Sequence, residues 1–161
     1  MKRSVYSLVL MDDVIKAVDE EAYRQGTSRS NLINQILAQH LSYTTPEMRI
    51  RNIFDSVSDS LDSYFQLIPQ NSGSLMTIKT ALQYRYNPTI NYKVELLRSP
   101  DNYIGSLKVQ IRTQSQNLIN LFCGFFKFWT SFEIICLSDK MPSDYSAEIN
   151  SNKFSRKLYN P

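Results

Sequence analysis

The run Gly26-Thr27-Ser28-Arg29-Ser30 carries three hydroxyl groups and one guanidinium within five residues. Ser28 is a favourable N-cap residue, and the apolar residues after it recur at helical spacing, so a helix is predicted to begin here. The first turn of a helix offers unpaired N–H groups and a partial positive charge, which both favour an anion. The run therefore predicts a phosphate-binding helix start, with Ser28 and Arg29 as contacting residues.

Catalytic chemistry is poorly represented in the rest of the chain. His40 is the single histidine, and the two cysteines, Cys123 and Cys136, lie in an apolar stretch without metal-ligand or disulfide spacing. No glycine-rich phosphate loop or nucleophile motif occurs. The sequence therefore predicts no enzymatic activity, no metal ion and no cofactor. Buried free thiols suit a reducing compartment and no targeting segment is evident, so a cytoplasmic location is expected.

A second group of basic residues alternates with apolar residues between Met76 and Arg112. This period of two predicts three consecutive antiparallel strands with one apolar and one polar face. The polar face could bind phosphates or another anionic ligand, although lysines on an exposed sheet more commonly serve solubility. The basic residues of this possible second anionic surface are Lys79, Arg85, Lys93, Lys108 and Arg112.

Three elements must position the helix start at Ser28. Alternating residues from Ser4 to Leu10 predict a strand, and helical spacing from Asp12 predicts a first helix capped by Asp12 or Asp13. Gly26 stands where a helix C-cap belongs. One strand and two helices bury too little surface for a stable monomer, so a second copy is required. The helices contribute Val14, Val18, Leu32, Ile33, Ile36 and Leu37 to the predicted dimer core.

The arrangement of residues 2–43, with its turn from Gly26 to Ser30, resembles the ribbon-helix-helix family of MetJ-like and Arc-like DNA-binding proteins. The resemblance implies a homodimer whose paired strands enter the major groove of double-stranded DNA. It also implies that Tyr6, Leu8 and Leu10 face the dimer core. The residues that it implies for base contacts are Arg3, Val5, Ser7 and Val9. Those that it implies for phosphate contacts are Lys2, Thr27, Ser28 and Arg29.

Beyond residue 45 the pattern predicts a second domain over residues 46–137. A helix is expected from Ile50 to Ile68, followed by the three-stranded meander. The aromatic stretch Leu118 to Leu137 predicts a buried helix that ends near Thr130, after which residues 132–137 continue the helix or form a short strand. Its excess apolar surface suggests a dimer contact or a small-molecule pocket, and its polar interruptions argue against a membrane span. Residues 138–161 are polar and are expected to form a flexible tail.

The sequence as a whole predicts an α+β protein with a ribbon-helix-helix module at residues 1–45 and an oligomerisation or ligand-sensing domain after it. The expected function is sequence-specific transcriptional regulation by a repressor that occupies operator DNA as a dimer. A net charge of only +3 does not by itself argue for nucleic acid. Two alternatives stay open: an antitoxin-like or plasmid-control protein whose C-terminal domain binds a protein partner, and a structural or membrane-associated dimer. A higher homo-oligomer and a small ligand at the C-terminal domain also remain candidate associations.

Overall fold

The structure, a computed structural model, describes residues 5–137, 145 and 147–159. The chain divides into two compact units, Met1–Arg49 and Ile50–Pro161, and the boundary falls inside the third helix. Lys2 and Arg3, which the sequence predicts to contact DNA, lie outside the described residues, as do residues 138–144 of the predicted tail.

The first unit is built around two helices, α1 (Asp12–Arg24) and α2 (Arg29–His40). Gly26 ends α1 with a positive φ of 62°, and the Thr27 amide donates to the Ala22 carbonyl at 2.9 Å. These are the features of a Schellman turn, so the predicted C-cap is confirmed. The predicted cap at the start of α1 is wrong, because Met11 is the N-cap residue and makes no side-chain cap bond, while Asp12 and Asp13 lie in the first turn.

The expectation of an N-terminal strand is also wrong. Residues 5–11 form no strand in the chain, and the first regular element is α1. A strand needs a neighbour that accepts and donates backbone hydrogen bonds, and the described part of this chain offers none to these residues. The observed order is therefore three helices followed by a sheet.

The third helix, α3 (Pro46–Asp59), is shorter than the sequence predicts. The Ser58 and Ser60 hydroxyls donate to the carbonyls four residues earlier, at 2.9 and 2.8 Å, an arrangement that weakens a helix end. The Asp62 carboxylate then accepts from the Tyr64 amide at 3.0 Å and forms a turn. Residues 65–68, predicted to continue the helix, instead pair with the sheet.

The second unit contains a six-stranded antiparallel sheet with the strand order β1-β2-β3-β4-β6-β5. The strands are β1 (Phe65–Ile68), β2 (Leu75–Ala81), β3 (Thr89–Leu96), β4 (Gly105–Arg112), β5 (Ala147–Asn150) and β6 (Lys153–Leu158). The predicted three strands form the middle of this sheet. The prediction of a three-stranded meander is nevertheless wrong, because three further strands flank it, two of them from the predicted tail.

A long helix, α4 (Gln116–Cys136), packs on one face of the sheet. The core comprises Val109, Ile111, Phe122, Phe126 and Phe154, and the rings of Phe126 and Phe154 stack with centroids 4.1 Å apart. The helix runs through residues 132–136, so the alternative of a strand there is wrong. Among the described residues α4 is the one helix long and apolar enough to cross a membrane, judged by length and composition alone.

Gly105 permits the close approach of β3 and β4 at the start of their pairing. A Cβ at this position would collide with the backbone carbonyl of Glu95 and would lie 2.9 Å from the Leu96 side chain. Because backbone atoms cannot move aside cheaply in a paired sheet, any larger residue would separate the strands there. The glycine therefore holds the register that aligns the side chains of both sheet faces.

Candidate nucleic-acid interface

The start of α2 is held by side-chain hydrogen bonds. The Ser28 hydroxyl accepts from the Asn31 amide at 3.3 Å, and the Thr27 hydroxyl accepts from the Asn31 side-chain amide at 2.8 Å. Ser28 is thus the predicted N-cap residue. The first intrahelical bond runs from the Leu32 amide to the Ser28 carbonyl, so the amides of Arg29 and Ser30 precede it and are oriented for an anion.

The Arg29 side chain, in contrast, is already occupied. Its Nε donates to the Asp19 carboxylate on α1 at 2.5 Å, and a second guanidinium nitrogen also pairs with Asp19. The hydrogen bond lowers the pKa of Asp19 and raises the pKa of Arg29. Both side chains are solvent-exposed, so the pair is screened. A phosphate at this helix start would have to compete with the Asp19 carboxylate for Arg29.

The N-terminal segment, Val5 to Met11, presents both of its faces to solvent. Val5 and Val9, which the resemblance implies for base contacts, are fully exposed, and Ser7 is exposed with them. Tyr6 and Leu8, predicted for the dimer core, are 83% and 62% exposed. The single chain therefore leaves uncovered the apolar side chains that a second copy would have to bury.

The two helices bury few of the predicted core residues. Leu32 is buried, whereas Val14, Ile36 and Leu37 remain exposed on the helix surfaces. Within the described part of this unit, the buried apolar residues are Ala22, Leu32 and Ala38. So small a core contributes little stability to a helix pair, which is consistent with a unit completed by another chain.

The face of the sheet opposite α4, here called the open sheet face, collects the predicted basic residues. The strand register directs six basic side chains to this face against two acidic ones, Glu95 and Glu148. Lys93 lies directly opposite Lys108, and Lys153 lies opposite Gln110 in the adjacent row. The six basic residues are Lys79, Lys93, Lys108, Arg112, Lys153 and Lys157.

Most of these charges are unpaired. Among the residues that the structure describes, Lys79, Lys93, Lys108, Arg112 and Lys153 have no ion-pair partner. Like charges on facing strands are destabilising, because their Cβ atoms are only about 5 Å apart. Lys93, Lys108 and Lys153 also line a depression of about 610 Å³, in which Glu148 is the one acidic residue and Asn91 and Gln110 are among the uncharged polar ones. The open sheet face is thus suited to an extended anion.

Two basic residues, Arg85 and Lys157, differ from these unpaired lysines because each lies near an aromatic ring. Arg85, predicted for the same surface, lies beyond the end of β2 in the turn before β3, with its guanidinium 5.0 Å from the centre of the Tyr86 ring. It lines a separate depression together with Arg112 at the end of the sheet. Lys157 lies on the open sheet face, but its ammonium stands 4.9 Å from the centre of the Tyr103 ring.

Sequence reasoning missed Lys153 and Lys157 because the final segment was interpreted as a polar tail. The available signal was the pair Ile149 and Phe154 flanking Asn150-Ser151-Asn152, which is a hairpin turn composition. In the structure Ile149 pairs with Phe154, and Ser151 adopts a positive φ of 43° at the turn.

No family model matches the chain, and neither the curated proteins nor the solved structures contain a match.

Proposed function

We propose that this protein is a sequence-specific DNA-binding transcriptional regulator that represses by occupying operator DNA as a homodimer. The observation that carries the proposal is the open sheet face, with six basic side chains against two acidic ones and a pair of directly facing lysines. Such a surface matches the regular negative charge of a nucleic-acid backbone, which releases counterions when lysines neutralise it. Phosphate contacts of this kind supply affinity for any sequence.

Sequence discrimination is assigned to the N-terminal unit. Its exposed segment Val5 to Met11, which joins no strand in the described part of the chain, supports this assignment. Ser7 can donate to or accept from a base edge, and Val5 or Val9 can contact a thymine methyl group. The amides of Arg29 and Ser30 add a phosphate contact that needs no side-chain charge.

The N-terminal unit is also the part of the chain that forms the proposed homodimer. Tyr6, Leu8, Ile36 and Leu37 leave apolar surface in water within a unit whose own core is small. Burial of that surface by a second copy would stabilise both copies by about 25 cal/mol for each Å² covered. A two-fold dimer would present two N-terminal segments to two half-sites.

The double variant Lys93→Gln/Lys108→Gln tests the sheet face, because glutamine removes both charges and keeps the side-chain length. We expect weaker binding to all duplexes. The negative slope of log affinity against log salt concentration should become shallower by about two units. Lys127→Gln is the matched control, since Lys127 is an exposed lysine on α4 rather than on the open sheet face. Its slope should stay within about half a unit of the unmodified protein, as expected for a lysine that contacts no phosphate.

Titration of a fluorescent duplex at several salt concentrations measures both slopes. Equal slopes for the double variant and the unmodified protein would mean that the open sheet face does not contact the backbone. A variant that binds no duplex at all under low salt would instead assign the whole affinity to this face, against the role proposed for the N-terminal unit.

A further inference from the structure

A groove separates part of α4 from the apolar face of the sheet. It encloses about 480 Å³ and belongs entirely to the second unit. One wall is formed by strand residues that include Ile90, Tyr92 and Leu107, and the other by Phe125 and Trp129 of α4. Its size lies within the usual range of small-molecule sites, and its lining is almost wholly apolar.

One end of the groove carries a buried charged pair. Glu133 of α4 is nearly fully buried and accepts a hydrogen bond from Arg156 of β6. The Tyr145 hydroxyl donates to the same carboxylate at 3.0 Å, and burial raises the pKa of Tyr145. Because the opposite charges of Glu133 and Arg156 cancel, this end of the groove is polar without a net charge.

The pair leaves hydrogen-bonding capacity unused. Arg156 lines the groove, and its Nε is buried without an acceptor among the described residues. The Nε atom is closed off from solvent, but the Arg156 side chain as a whole is 19% exposed, so a ligand acceptor in the groove can approach its exposed part. An anionic ligand would bind less well, since Glu133 already neutralises Arg156 and the charge of the ligand would be desolvated in an apolar groove without a counter-charge of its own.

We propose that this groove binds a small, uncharged, mainly aromatic molecule whose single oxygen accepts a hydrogen bond from the Arg156 side chain. The apolar body of the ligand lies between Leu107 of the sheet and Phe125 or Trp129 of the helix. Those two aromatic side chains are 54% and 41% exposed, so an occupant covers surface that the chain leaves in water. The site is independent of the DNA-binding proposal, which concerns the opposite face of the sheet.

The chain provides its own reporter for this site, because Trp129 is its single tryptophan and lines the groove. The experiment follows the one indole N–H resonance in NMR spectra of the full chain during titration with three matched probes. Methyl naphthyl ketone is uncharged and has an acceptor, ethylnaphthalene has none, and naphthoate is anionic. We expect saturable binding of the ketone, at an affinity roughly tenfold above that of each of the other two probes, as one additional hydrogen bond would give.

A pair of variants locates the binding. Leu107→Phe fills the groove and should lower the affinity for the ketone at least tenfold. Leu67→Phe makes the same change on the same sheet face, outside the residues that line the groove, and should leave the affinity unchanged. If the first variant does not fold, the ranking of the three probes on the unmodified chain still decides the proposal.

Three results would overturn the proposal. Equal affinity for all three probes would reduce the groove to unspecific apolar surface. A resonance that does not move, or moves without saturation, would exclude a ligand site. Sedimentation that detects a dimer at the concentrations used, together with loss of probe binding as the dimer forms, would assign the groove to a second copy of this chain.

Discussion

The two units of the chain differ in how they cover their apolar residues. In Ile50–Pro161 the sheet and α4 supply each other with partners, and Phe126 and Phe154 stack in a shared core. In Met1–Arg49 the exposed residues include Tyr6, Leu8 and Ile36, and the segment before α1 joins no strand. The second unit forms a shared core within one chain, while the outer side of α4 leaves residues such as Phe128 and Ile135 exposed. The first unit has a small core, and residues 5–11, predicted to form a strand, have no strand partner within the described part of the chain.

The strongest test of a self-sufficient second unit removes part of its core. Phe126→Ala deletes a ring that is 8% exposed, and it should lower the free energy of unfolding by about 3 to 5 kcal/mol. Phe128→Ala, on the same helix but 67% exposed, should change it by less than about 1 kcal/mol. Chemical denaturation followed by circular dichroism measures both. Similar losses would mean that the outer side of α4 is also packed against something in solution.

The complementary test adds a charge to the first unit, whose own core is small. Leu8→Lys should raise the dissociation constant of the homodimer by about 30-fold or more, since a buried unpaired ammonium costs at least about 2 kcal/mol. Val9→Lys is the control, because Val9 is fully exposed and is not among the residues predicted for the dimer core. Sedimentation over a concentration series compares the two variants. Equal weakening by both would contradict the predicted alternation of faces in this segment.

A substitution of Ser7 should have a smaller effect, confined to the discrimination between operator DNA and other sequences. Ser7→Ala should reduce the difference in binding free energy between operator and scrambled duplex by roughly 1 kcal/mol, because one hydrogen bond to a base is lost. The salt dependence should not change, since no charge is removed. An unchanged preference for operator would exclude Ser7 from base recognition.

The smallest predicted effect is an increase in the free energy of unfolding rather than a decrease. Because Lys93 and Lys108 face each other across β3 and β4, Lys93→Gln/Lys108→Gln should raise the free energy of unfolding by a few tenths of a kcal/mol while DNA affinity falls. Lys127→Gln should change neither quantity. Destabilisation by the double variant would indicate that the facing lysines contribute to the fold rather than to a binding surface.

Local sequence patterns were sufficient to predict much of this structure. Gly26 and Ser28 mark helix ends through their own backbone and side-chain chemistry, and alternation identified the three central strands. Each of these signals depends on a few neighbouring residues. The sequence also identified four of the six basic residues on the open sheet face, because they belong to those strands.

The errors arose where a distant partner decides the structure. Leu61, Tyr64 and Ile68 continue a helical spacing, but pairing with β2 makes Phe65–Ile68 a strand. Residues 132–136 remain helical, and Glu133 there bonds to Arg156 of β6. Lys153 lies on the open sheet face because β5 and β6 form a hairpin, and the strands of that hairpin contain few apolar residues. Arg156 lies 23 residues from Glu133, so no local period could reveal that partner, whereas the hairpin before Lys153 is local and only its turn composition indicated it.

Selection of bound sites from random duplex DNA with the purified full chain tests the central claim most directly. The account predicts one enriched sequence made of two related half-sites, because a two-fold dimer imposes its symmetry on the DNA that it reads. It also predicts that a Ser7→Ala protein enriches the same site less strongly. A library without enriched sequence after repeated selection would contradict sequence-specific regulation by this protein.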